Sequence, residues 1–186
     1  MIGGIYCEIP LGEFYDKSIA DSVRWRLRKY LGVTIKGMTN QELDDTIADT
    51  IYNYVDSVFN QRRGITYQDK TYALAQSHGF AIFQDGEWER RKRKENFGKP
   101  QEPRKDGVSG STRFYQFVNE YEPLTKKGWM VLLLASTPYA TRLEVDYGRK
   151  VLMQMTNSLA SIIRGKYGRK GSEMKYGYIF ETTGSR

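Results

Sequence analysis

The spacing of hydrophobic positions changes several times along this chain, and each change marks an element. Met130 to Ala135 is an unbroken apolar run with the length and branching of a strand covered on both faces. It leads through Ser136-Thr137-Pro138 into a short amphipathic stretch, where Ser136 or Thr137 can cap a helix whose first turn holds Pro138. Gly148 supplies its C-terminal stop. Upstream, Leu43, Ile47, Ile51, Val55 and Phe59 recur every four residues, joined by Tyr54 and Val58, behind a Thr39/Glu42 capping box. Residues 13–31 carry Phe14, Ile19, Val23, Leu27 and Leu31 at helical spacing, with Arg24, Arg26, Arg28 and Lys29 largely elsewhere. They predict an amphipathic helix with a basic outer face, ended by Gly32.

Further along, Phe114, Phe117, Val118 and Tyr121 predict a helix capped by Ser111 or Thr112 and closed by Glu122-Pro123. Leu152, Met155, Leu159, Ile162 and Ile163 predict a last helix over about 151–164, and Gly165 and Gly168 break it. Met174, Tyr176, Tyr178 and Phe180 alternate strictly, which predicts a final strand at a sheet edge, where it could pair with a neighbouring subunit.

Between these elements the period switches to that of a hairpin. His78 to Gln84 and Glu87 to Lys94 flank Asp85-Gly86, a pair suited to a type I′ turn because both central residues need positive φ. The expectation is a hairpin that projects from the body. Its second arm, Arg90-Arg91-Lys92-Arg93-Lys94, is too charged to be buried and leads into a stretch rich in Pro, Gly and charge, giving a mobile loop over about 90–110.

A chain of 186 residues with 39% hydrophobic and 13% aromatic content can bury a real core and is read as one domain, 1–186, with an N-terminal helical extension over about 1–38. No apolar run approaches the roughly 18 to 20 residues of a membrane helix. The N-terminus lacks the basic and long apolar regions of a secretory signal, and Cys7, the one cysteine, cannot close an intrachain disulfide. A soluble protein of a reducing compartment is expected. A net charge of +7 favours an acidic partner such as nucleic acid, although the same balance also serves solubility. The fourteen tyrosines are compatible with base stacking but also with protein interfaces.

Candidate chemistry is sparse. His78, the one histidine, has no Cys or Asp at zinc-site or triad spacing and reads as a structural or interface residue. Asp44, Asp45 and Asp49 sit near the positive end of their helix, so dipole compensation accounts for them better than a metal site with Glu42. Gly165 to Ser172 resembles a phosphate loop only superficially, because its lysine precedes the final glycine. Glu144 and Asp146, two apart on a helix, face different directions and make a poor acidic pair. No enzyme, cofactor or metal is expected. The basic arm, Arg90 to Lys94, remains as a candidate for nonspecific phosphate contact.

Two motifs occur in an order that resembles one family. Thr71-Tyr-Ala-Leu-Ala-Gln-Ser77 followed by Gly79 to Gly86 is similar to the threonine-glycine-x-leucine-x-x-serine segment and hairpin of bacteriophage tail-completion proteins. Leu132 to Ala140, with Glu144 and Tyr147-Gly-Arg-Lys-Val-Leu152, is similar to that family's strand, tyrosine-alanine step, glutamate and glycine turn. These are neck, or head-tail joining, proteins of tailed phages. The resemblance spans roughly residues 39–165. Tyr72 stands where the family has glycine, Glu144 to Gly148 stretches a compact pattern, and the basic N-terminal helix and long loop have no counterpart.

The resemblance implies an α+β fold, helices packed on a mostly antiparallel sheet, with no catalysis. It implies a virion protein assembled in the host cytoplasm as a homo-oligomeric ring around the DNA channel. Its neighbours would be a portal or adaptor protein on one side and a tail tube, tail hub or tail terminator protein on the other. Double-stranded DNA would pass nonspecifically, meeting Arg90, Arg91, Lys92, Arg93 and Lys94, and no membrane is involved. Tyr139, Glu144, Tyr176 and Tyr178 are candidates for subunit contact. The alternatives are a nucleic-acid-binding protein using the basic arm, and a small enzyme whose site carries no recognisable motif.

Overall fold

The computed structural model describes residues 3–12, 40–60, 73–93, 107–148, 162 and 175–179. The predicted helices at 13–31 and about 151–164, the Thr39 cap, Lys94 and the Gly165 to Ser172 segment lie outside the described residues, Ile162 excepted. The elements are β1 (Gly4–Gly12), α1 (Asn40–Asn60), α2 (Ala73–Ser77), β2 (His78–Gln84), β3 (Glu87–Arg93), α3 (Gly110–Glu120), β4 (Trp129–Ala135), α4 (Pro138–Val145) and β5 (Lys175–Ile179). The five strands form one sheet in the order β3-β2-β4-β1-β5, and every neighbouring pair is antiparallel. The fold is α+β.

The apolar run is the centre of this sheet. All seven residues of β4 are buried, because the strand has a neighbour on each side and helices above and below. On one face Val131, Leu133 and Ala135 join Ile5, Cys7, Ile9, Phe80 and Ile82 beneath α1, which contributes Ile47, Ile51, Val55, Val58 and Phe59. The four-residue spacing of these α1 residues produced that stripe. On the other face Met130, Leu132 and Leu134 meet Ala81 and Phe83 beneath α3, whose Phe114, Phe117 and Val118 are buried with Tyr121 beyond its end. Helices therefore cover both faces of an antiparallel sheet.

The hairpin is a correction. Its turn forms as expected, with φ of 50° at Asp85 and 93° at Gly86, but β2 pairs with β4 as well as β3 and is an interior strand. Six of its seven residues are buried, so the hairpin is built into the sheet rather than projecting from it. The turn is also tied down: Asp85 N–H donates to Gly128 O at 3.0 Å, and Gly128 N–H donates to Asp85 Oδ1 at 2.8 Å. Both ends of the loop expected at about 90–110 belong to elements, since β3 runs to Arg93 and Ser109 caps α3. That cap, in which Ser109 Oγ accepts from Thr112 N–H, stands where Ser111 or Thr112 was expected.

Strand β1 was not anticipated, although Ile5, Cys7, Ile9 and Leu11 alternate and all four are buried. The final strand is where the alternation put it, at the sheet edge beside β1. Thr137 and Pro138 open α4 as read, without a side-chain bond from Thr137 to the helix.

Candidate interaction surfaces

The basic arm is organised by a β-bulge. Ile82 pairs with Arg90 and Phe83 with Trp88, which leaves Glu89 as the extra residue on β3. Strand alternation sends the consecutive Arg90 and Arg91 to opposite faces, and the bulge brings Trp88 onto the face of Arg91. Arg90 turns toward α1, where Nε donates to Asp49 Oδ1 at 3.0 Å and one terminal nitrogen reaches Asp45 Oδ1 at 3.4 Å. The bond to Asp49 is the main reason its pKa is raised, against partial desolvation. Burial, partly offset by Arg90, raises the pKa of Glu89 beside this pair. Gln84 Nε2 donates to Asp44 Oδ1 at 3.1 Å. Dipole compensation thus describes the α1 carboxylates incompletely: they tie the helix to β2 and β3.

Arg91 turns toward α3. Its guanidinium lies 4.2 Å from the Trp88 ring centroid and 4.8 Å from that of Tyr115, and Nη1 donates to Asn119 Oδ1 at 2.5 Å. Trp88 and Tyr115 are 41% and 40% exposed, so this stack is a surface feature. Two of the five proposed DNA-contact residues, Arg90 and Arg91, therefore have intramolecular partners. Lys92 and Arg93 follow on the edge strand.

The candidate contact residues sit at the other end of the sheet. Helix α4 packs across β1 and β5, buries Ala140 and Thr141, and leaves Tyr139, Val145 and Tyr147 exposed, with Glu144 half-buried. Tyr176 and Tyr178 occupy β5 opposite Cys7 and Ile5. His78, buried at the start of β2, donates from Nδ1 to Leu74 O at 2.7 Å, a structural use of the ring.

Sequence reasoning missed Glu8. Its side chain is fully buried, yet its carboxylate accepts four hydrogen bonds. Oε1 receives Tyr121 O–H at 2.8 Å and Leu124 N–H at 2.6 Å; Oε2 receives Thr125 N–H at 2.9 Å and Thr125 O–H at 2.7 Å. Lys175 Nζ in turn donates to Thr125 Oγ1 at 3.2 Å, which links the edge strand to the cluster. Burial, and then the neighbouring Glu8 carboxylate, push the Tyr121 phenol well above its ordinary value. Nothing marks Glu8 in the sequence, because a polar residue between Cys7 and Ile9 reads as the solvent side of a strand.

No protein-family model, curated protein or solved structure matches this chain.

Proposed function

We propose that this chain is a structural virion protein of a tailed-phage neck, forming a ring that joins portal or adaptor to tail around the DNA channel. The observation that carries the reading is the shape of the sheet. Its middle is fully covered by helices, while β3 and β5 stand at its two ends with exposed aromatic residues nearby. A rigid body with two dissimilar edges suits repeated assembly better than catalysis. The residues that resemble tail-completion proteins, β2 with its turn and β4 with α4, build that body.

Negative-stain imaging of the purified protein, alone and mixed with a portal partner, tests the proposal. Rings, or rings formed on the portal, are expected. A persistent monomer that binds DNA tightly and never joins a particle overturns it in favour of a nucleic-acid-binding protein. The intramolecular partners of Arg90 and Arg91 weigh against that second reading, since phosphate contact would compete with them.

A further inference from the structure

Resting on the ring reading, we infer that subunits join head to tail, the Trp88–Arg91–Tyr115 stack of one copy seating on the exposed face of α4 beside β5 in the next. The two surfaces lie at opposite ends of the sheet order, β3 at one and β5 at the other. A closed ring of more than two copies requires such a pair of different, complementary patches, whereas a single self-complementary patch stops at a dimer. Both patches have the make-up of interface centres. The first presents Trp88 and Tyr115 with the Arg91 guanidinium over both rings, and that side chain is already ordered by Asn119 and so loses little freedom on docking. The second presents Tyr139, Val145 and Tyr147, the last 70% exposed.

Charge supports the same pairing. On the face of β3 that carries the stack the cation is Arg91, since Arg90 turns to Asp45 and Asp49 of α1, and the C-terminal end of α4 carries Glu144 and Asp146 against Arg142. The negative end of that helix adds to its acidity. The Glu89 bulge and the charges of β3 discourage strand-to-strand pairing along that edge, which leaves side-chain docking as its mode of contact.

The test uses two surface variants, Trp88→Glu and Tyr147→Glu, chosen with the same charge so that the damaged patches cannot attract each other. Far-UV circular dichroism and urea midpoints matching the parent establish that both fold. In sedimentation up to about 1 mM, wild type is expected to self-associate, and each variant to do so at least about tenfold more weakly. Mixed in equal amounts, the variants retain one intact contact between them, and a heterodimer that grows no further is expected. Self-association by either variant as strong as wild type, or growth of the mixture beyond two copies, overturns the inference while leaving rings intact. A wild type that stays monomeric throughout also overturns it, and imaging on the portal then judges the ring proposal separately.

Discussion

A buried carboxylate is costly unless its oxygens are filled, and Glu8 shows what fills them. Each oxygen accepts from one backbone N–H, Leu124 for Oε1 and Thr125 for Oε2, and these donors cannot rotate away. Glutamine has the right shape but must turn its NH2 group toward one of them, whichever way it is flipped. Glu8→Gln is therefore expected to lower the urea midpoint by the equivalent of roughly 1–3 kcal/mol, the cost of an unsatisfied buried donor. Tyr121→Phe removes one donor from the same cluster and should cost about 1 kcal/mol at neutral pH. It also carries a pH signature. The phenol's pKa is raised in the folded protein, so above about 10 the unfolded chain releases a proton that the native state keeps. The stabilisation is fully present below that pH and is lost as pH rises toward the folded value. Relative to wild type, the Tyr121→Phe variant should lose less stability between neutral pH and the alkaline limb, which denaturant titrations at a series of pH values would measure.

Edge strand β5 is held by packing as well as by its ladder. Gly177 pairs with Tyr6, whose ring lies across it: a Cβ at position 177 would come within 2.2 Å of Tyr6 Cζ and Oη. That ring meets Tyr121 edge-on at 4.9 Å, and Tyr121 stacks on Phe117 at 5.4 Å, so the glycine sets the position of an aromatic series reaching α3. Gly177→Ala is expected to destabilise the protein by about 1–3 kcal/mol through overpacking. The same substitution in a Tyr6→Leu background should cost markedly less. A double-mutant cycle reads the coupling, and additive costs would show that the ring is not what makes glycine necessary. The basic arm makes the same point about elements: one bulged residue, Glu89, puts Trp88 on the same face of β3 as Arg91, where the two stack beside Tyr115 of α3.

For the whole molecule, the distinction between folding and assembly is the useful one. Glu144 is half-buried on α4 and belongs to neither of the two clusters that make the core. Glu144→Ala should leave the thermal midpoint within a few degrees of wild type, as surface substitutions usually do, yet reduce the yield of particles with joined heads and tails. Normal particle yield with E144A would remove Glu144 from the interface. A large loss of stability would instead make it a structural residue.

The sequence by itself determined the elements whose signals are local. The unbroken run of β4, the four-residue stripe of α1, the Asp85-Gly86 turn, Pro138 in the first turn of α4 and the alternation of β5 are each set by backbone preference and by which side must meet a core. Among the candidate contact residues, Tyr139 was legible as surface, and so was the dense charge of the arm. The tertiary structure alone decided the rest, because it depends on what non-local segments bring. Whether His78 to Gln84 projects or lies inside the sheet depends on β4 pairing with it from about fifty residues away. Whether Arg90 is free depends on α1 lying over β3, and whether Glu8 faces water or four donors depends on Tyr121 to Thr125 folding across β1. A residue's type states what it requires of its surroundings, and only the packed chain determines which groups supply it.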